Sequence, residues 1–260
     1  MSLLYDLPNW LFGLFIVLAA NLIGITGLYA TRGFVRRQHG LHHSHNDIVS
    51  YFCAAVTVFY GITLGLLAVS AWTNYTQVQA RVDTEAEVIS SLYRDTGGYP
   101  EPTRTDLRGD LREYTKRVID VTWPAQRKGT VPGHATEGLD KFQDTLTQFQ
   151  PTTPAQQIIQ AEVFHKFDDL VEARRARISS VHSKMPQSLW TLVFLGALLT
   201  IGVTLFFDTA SFRMHLWMTL CLATLLGLMI FLIGTLDNPF RGSGGVSSAP
   251  LDLVYREITR

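Results

Sequence analysis

Four stretches of this chain run for roughly twenty residues each without a single Asp, Glu, Lys or Arg, and that constrains its fold more than anything else in the sequence. They are residues 10–30, 48–71, 189–207 and 214–236. An α-helix rises about 1.5 Å per residue, so each run is long enough to cross about 30 Å of hydrocarbon. A charge held at mid-bilayer costs about 3 kcal/mol or more, and all 22 basic and 22 acidic residues lie outside the runs. Trp10, Trp72 and Trp190 stand at run ends, where an aromatic belt is expected. The formal net charge is zero, so no global field favours nucleic acid as a partner. Cys53 and Cys221 both sit inside apolar runs, which gives neither a disulfide framework nor a thiolate metal site. Residues 1–9 carry only Asp6 and lack the basic region of a signal peptide, so the first run reads as a membrane span.

Between the second and third runs the pattern changes. Residues 73–187 carry charges of both signs at helical spacing, as water-facing helices do. Val78, Val82, Ile89 and Leu92 form a stripe on a helix that continues out of the second run and ends before Gly97 and Gly98. A second helix is expected to start at Thr103, with Asp106 three residues on as a capping box. It presents Leu107, Leu111, Tyr114 and Val118, and Trp123-Pro124 is expected to close it. After a glycine-bearing linker at 129–138, Leu139, Phe142, Leu146 and Phe149 recur at steps of three and four. Thr153-Pro154 opens a fourth helix, with proline at the first helical position. That helix is expected to pass through Ile159, Phe167, Leu170 and Ile178 into the third run, with a kink at Pro186. No two-residue period is sustained anywhere.

The fold class is therefore all-α: an integral membrane protein with four transmembrane helices and an inserted helical extramembrane domain. The expected organisation is transmembrane helices 1 and 2 with a His/Arg-rich loop at 1–72, the helical domain at 73–187, transmembrane helices 3 and 4 at 188–237, and a tail at 238–260. Only residues 251–260 of that tail could form another helix, and the tail could dock on the domain. Four spans put both termini and the domain on one side of a cell (inner) membrane. Arg32, Arg36 and Arg37 follow the first run, and the positive-inside rule puts their loop in the cytoplasm. The domain would then be extracytoplasmic, although Arg174, Arg175, Arg177 and Lys184 argue for the other orientation.

Several residues could carry chemistry. His39, His42, His43 and His45 crowd the loop after the first run, where imidazoles could bind a metal or sense protons. A solvated polar loop is the simpler account, because one loop supplies no fixed ligand geometry. Asn46 and Asp47 suit an N-cap for the second helix. In an oligomer, one Asp47 per copy would form a carboxylate ring at a pore mouth and favour cations. Gly61 and Gly65 make a Gly-x-x-x-Gly pair, and Ala20 and Gly24 a similar step, both of which suit close helix packing. Asp208 and Arg213 flank the short last loop and would pair or be solvated. No phosphate loop, nucleophile elbow or His-Glu-x-x-His occurs, so neither an enzyme nor a cofactor is indicated.

Two segments resemble bestrophins, the oligomeric chloride channels. Asp237-Asn238-Pro239-Phe240 resembles the family's Asn-Pro-Phe-Gly turn, with Arg241 intervening before Gly242. Phe59-Tyr60, Ile62-Thr63-Leu64 and Trp72-Thr73-Asn74-Tyr75 resemble the pore helix and its end, at a spacing two or three residues longer. Over nearly its whole length the chain looks like the bacterial bestrophin-like family of unknown function, where Asn46-Asp47, Leu92-Tyr93-Arg94, Trp123-Pro124 and Pro239-Phe240 recur. The resemblance implies a ring of copies, five in number, with Tyr51, Ala55, Phe59 and Thr63 facing a pore and inorganic ions passing through it. It also implies a cytoplasmic domain, against the charge bias of the first loop. Alanine at 55 cannot make the family's constriction. Gly242-Ser243-Gly244-Gly245 stands where bestrophins carry an acidic calcium-binding run, so no calcium clasp is expected.

Two functions follow as alternatives. One is a homo-oligomeric ion channel or pore in the bilayer, since four spans of one copy leave little room for water and symmetric assembly supplies it. The other is a non-conducting, membrane-anchored sensor or scaffold built on the same extended helices.

Overall fold

The computed structural model describes residues 9–39, 43–132, 137–209, 211–242 and 244–260, with side chains throughout these except at 36–39, 43–45 and 137. Every regular element among them is helical: α1 (Asn9–His39), α2 (His43–Asp95), α3 (Thr103–Arg117), α4 (Trp123–Arg127), α5 (Glu137–Gln148), α6 (Pro154–Ser179), α7 (Gln187–Thr204), α8 (Phe212–Leu236) and α9 (Ala249–Thr259). Four of them, α1, α2, α7 and α8, are long and apolar enough to cross a membrane. The chain is an all-α integral membrane protein, and it divides into two compact units: residues 1–74 with 184–238 and 242–244, and residues 75–183 with 239–241 and 245–260.

In the membrane unit α1 packs along α8. Small residues let the backbones approach: a Cβ at Gly24 would stand 3.0 Å from the Thr219 methyl, and one at Gly227 would stand 3.0 Å from the Val17 Cα. The small-residue step in the first span is thus packing. Asn21 is satisfied inside this contact, donating to the Val17 carbonyl at 2.9 Å and the Thr224 hydroxyl at 3.0 Å. A second seam joins α2 to α7, where Tyr60, Leu64, Val193 and Ala197 are buried together and the Tyr60 hydroxyl donates to the Val193 carbonyl at 2.6 Å. Gly61 and Gly65 do not repeat the α1 pattern: no atom lies within 4 Å of a Cβ built at either.

The helical unit has a conventional core of Val78, Val82, Ile89 and Leu92 from α2, Leu107, Leu111 and Tyr114 from α3, Leu139, Phe142 and Leu146 from α5, and Val163, Phe167 and Leu170 from α6. The tail joins it through Leu251, Val254 and Ile258, the inward face of α9. Arg112 fixes the end of that helix, its Nε donating to the Ile258 carbonyl at 2.8 Å. Thr153 caps α6 by accepting from the Gln156 N–H at 3.2 Å, and Gln156 reciprocates.

Four local expectations are revised. Thr103 makes no capping box; the Glu101 carboxylate accepts instead from the Thr105 N–H and hydroxyl. Trp123-Pro124 does not close α3, because a π-helical turn, Val118–Thr122, absorbs the missing proline N–H and helix resumes to Arg127. Gly129, at φ 78°, makes the stop. α6 does not run on into α7: a 3₁₀ turn, Ser180–His182, and an extended stretch end it, and α7 starts after Pro186, which is disfavoured in a helix interior. Finally, α2 begins at His43, ahead of Asn46 and Asp47, so neither caps it.

Candidate functional site

α2 is one helix of 53 residues, and its membrane stretch touches its own unit along one side only. Tyr60, Leu64 and Ala71 form that side. On the other, Asp47, Tyr51, Ala55, Phe59 and Thr63 step by four residues and therefore form one slowly winding stripe. Tyr51 keeps 80% of its surface open and Phe59 74%. Asp47 and Ala55 are exposed too, while Thr63 is half-buried, its hydroxyl donating to the Phe59 carbonyl at 2.9 Å. The rest of the open side is mixed: Ser50, Ala54, Thr57, Gly61, Ser70 and Thr73 are exposed, and so are Ile48, Phe52, Val58, Ile62, Leu66, Val69 and Trp72.

It is less uniformly bulky than the open sides of α7 and α8. These show Leu192, Phe194, Leu195, Leu198 and Leu199, and Met214, Trp217, Met218, Leu225, Leu228 and Leu232. Bulky aliphatics suit acyl chains, whereas small and hydroxyl side chains suit close protein approach or water.

Other residues singled out by the sequence serve as anchors. Asn46 gives its amide to the Asp208 carbonyl at 2.7 Å and takes the Asp208 N–H at 3.0 Å, tying the start of α2 to the α7–α8 loop. Asp208 is buried and Arg213 exposed, so they are not a solvated pair. The Asp237 carboxylate accepts from the Met185 N–H at 2.6 Å and the Trp190 indole at 3.0 Å, fixing the entry to α7. Pro239 accepts from the Val246 N–H, and Phe240 lies edge-on to Trp123 with ring centres 5.6 Å apart. Arg241, the residue inserted into the turn, reaches the Lys128 carbonyl at the end of α4. Tyr93 lies under the Arg108 guanidinium, 4.7 Å from its ring centre, and accepts from Arg112. Arg94 is exposed, as are Trp72 and Pro124, and Tyr75 packs against the helical core. His42 lies outside the described residues, as do the side chains of His39, His43 and His45. No cluster of metal-ligating side chains occurs among the described residues.

A buried ionic centre in the helical unit escaped the sequence. Glu85, Tyr114, Gln126 and Arg177 come from α2, α3, α4 and α6 and are almost wholly inaccessible. Arg177 donates to both Glu85 oxygens, the Nη2 contact at 3.1 Å, and to the Gln126 carbonyl at 2.8 Å. The Tyr114 hydroxyl donates to Glu85. Burial lifts the Tyr114 phenol well above its ordinary pKa and Glu85 adds to this, so it stays protonated. Burial alone would lower Arg177, but the Glu85 carboxylate more than reverses this and raises it. The sequence signal was present: the stripe Val163, Phe167, Leu170 continues at Arg174 and Arg177.

The Bestrophin-like domain profile matches residues 18–251. The chain belongs to the Bestrophin-like family. Its fold is also that of solved family structures. A bacterial bestrophin homolog from Klebsiella pneumoniae, phased by Zn-SAD, superposes with a TM-score of 0.68 over 94% of this chain and 96% of that one, at 13% identity. Two point mutants described as a bacterial bestrophin homolog from Klebsiella pneumoniae superpose at 0.69 (14% identity, 95% and 97% covered) and 0.70 (12%, 95% and 99%). No curated protein matches. At such identities the likeness to the bestrophin homolog is one of fold, and it extends over 94–95% of this chain.

Proposed function

We propose that this Bestrophin-like protein assembles as a ring of identical copies, five in number, and conducts inorganic ions through an axial pore lined by α2. The observation that carries the proposal is the open side of α2, where Tyr51, Ala55, Phe59 and Thr63 follow Asp47 on one stripe that its own unit leaves largely uncovered. A ring gives that side a role, since small and hydroxylated residues meet neighbouring copies or water in it. Likeness of fold to the bacterial bestrophin homologs supports the same assembly. In this ring Phe59 forms the apolar constriction and Asp47 a circle of carboxylates at the mouth, which favours cations over anions.

Current recordings from purified protein in planar bilayers test this directly. Wild-type protein is expected to conduct, and Phe59→Ala to change conductance or gating. Asp47→Asn is expected to reduce the cation preference seen as a reversal-potential shift in asymmetric salt. A particle of monomer mass, or wild-type protein that passes no current, rejects the proposal.

A membrane-anchored sensor is the second reading. It draws on the unbroken course of α2 from its membrane stretch to Asp95, a rod able to carry a displacement without a pore.

A further inference from the structure

The membrane unit holds a cation with an unmet donor beside a cavity. Arg32 follows the uncharged run 10–30 by two residues, at the end of the first span. Its guanidinium carbon stands 4.5 Å from the centre of the Phe212 ring at the start of α8. Its Nη1 is buried without a hydrogen-bond partner. Arg32 also lines a small cavity together with Phe207, Asp208 and Thr209 of the α7–α8 loop and His215 of α8. His215 is already engaged: its Nε2 lies 2.9 Å from the Thr204 carbonyl, which can only accept, so that nitrogen carries a proton. Asp208 is buried, and Asn46 holds its backbone rather than its carboxylate.

The unmet atom is a guanidinium donor, so what completes it must accept, and an oxyanion oxygen does so better than a neutral one. The planar guanidinium fork matches a phosphate in particular. The surroundings set the level in the membrane. Tyr29 packs on Phe212 with ring centres 5.2 Å apart, and both Tyr29 and Trp217 are exposed, as aromatics at headgroup depth are. From there α1 and α8 lead into the bilayer with Leu22, Met218 and Leu225 open to acyl chains. The cavity has room for about one oxygen atom, so a phosphate oxygen enters and the rest of a headgroup stays outside. Asp208 adds a second condition. A purely anionic group would meet its carboxylate as well as Arg32, whereas a group with an ammonium one short linker from its phosphate satisfies both charges.

We propose that this cavity is a headgroup site for a zwitterionic phospholipid bearing a primary ammonium, of the phosphatidylethanolamine class. One phosphate oxygen accepts from the Arg32 guanidinium, and the ammonium donates to the Asp208 carboxylate. The bound lipid ties the end of α1 to the α7–α8 loop. The site does not rest on conduction, because all its residues belong to the membrane unit of one copy and none lies on the open side of α2.

Melting of the detergent-solubilised full chain tests this, with added phosphatidylethanolamine, phosphatidylcholine or phosphatidylglycerol of equal chain length, or inorganic phosphate. A ligand that binds only the folded chain raises Tm saturably. The wild-type rise should be largest with phosphatidylethanolamine, smaller with phosphatidylcholine and phosphatidylglycerol, and absent with inorganic phosphate. Arg32→Met should lose the phosphatidylethanolamine rise. Asp208→Asn should keep a rise but level phosphatidylethanolamine with phosphatidylglycerol. No rise in wild type overturns the proposal and leaves the cavity to a trapped water. An equal rise with all three lipids, or one that survives in Arg32→Met, also overturns it, since the effect is then a general one of bilayer lipid. A rise with inorganic phosphate matching that of the lipid would make the site one for soluble phosphate and overturns it too. Should Arg32→Met fail to fold, the wild-type order of lipids and its levelling in Asp208→Asn decide.

Discussion

The two units of this protein bury opposite things. The helical unit exposes charge and keeps its large apolar residues inside, with only Val121, Ile158 and Leu253 as exposed exceptions among the described residues, yet it seals a salt bridge in its core. The membrane unit exposes bulky apolar side chains along α1, α2, α7 and α8 and buries small and hydroxylated ones such as Gly24, Thr200 and Thr219. Exposure therefore carries different information in each. In the helical unit an open apolar residue stands out against a charged surface. In the membrane unit every helix has an open apolar side, and only the kind of side chain separates acyl-chain contact from something else. By that standard α2 is mixed, since Ser50, Ala54, Thr57 and Gly61 stand open beside Phe52, Val58, Ile62 and Leu66.

The largest expected effect tests whether the buried charge is part of the core. Glu85→Leu leaves Arg177 without its carboxylate and should cost about 3–5 kcal/mol of helical-unit stability. Adding Arg177→Met should restore most of that loss, because an apolar pair of similar volume is often no worse than a buried ion pair. Trp123 fluorescence during thermal melting follows this unit. A single substitution that melts like wild type would show that the network is not formed.

Next in size is the seam of the membrane unit. Tyr60→Phe removes the hydrogen bond to the Val193 carbonyl and should cost about 0.5–1 kcal/mol in detergent. An unchanged melting temperature would mean that α2 and α7 are not joined there.

A smaller effect concerns pH. Asp110 is partly buried, and desolvation raises its pKa despite the hydrogen bond from Thr145. With the folded pKa above the unfolded one, the folded state binds more protons between the two. Stability therefore falls as pH rises from the ordinary aspartate range through the raised value. Asp110→Asn should remove that slope and leave the protein equally or slightly more stable at pH 7. The gain should be at most about 0.5 kcal/mol, since a half-exposed group is screened. A variant that loses stability at pH 7 would mean that the carboxylate is stabilised there.

Much of this architecture was legible because it rests on run length and period. Four uncharged runs and the stripes of α2, α3 and α5 need no tertiary knowledge, and the capping box at Thr153 is local chemistry. What failed was non-local. Asn46 read as a cap because its partner is the Asp208 backbone, 162 residues away. Thr103 read as a cap because nothing in the sequence says that Glu101 folds back first. Arg174 and Arg177 read as charges flanking a membrane, since a charged residue on a water-facing helix is expected to face water. Only the contact with Glu85, 92 residues earlier, turns Arg177 inward. The stripe on α2 was legible as positions but not as a surface, because a side that one chain leaves open acquires meaning only from what covers it.

The smallest expected effect bears most on that surface. Phe59 and Tyr60 are adjacent, but Tyr60 is buried and Phe59 is 74% exposed. In a dissociated chain Phe59→Ala removes almost no contact and should change stability by no more than about 0.5 kcal/mol. If the open side of α2 only faced lipid, the substitution would be equally silent in the assembled protein. In a conducting ring it cannot be silent, because five copies of the same ring converge on one axis and truncating each widens the passage. Melting the dissociated chain and recording current from the assembled one therefore measure the same substitution against two surroundings. Silence in the first with a changed conductance in the second places the function in the assembly, and a matching loss of stability in both would return Phe59 to the core of a single chain.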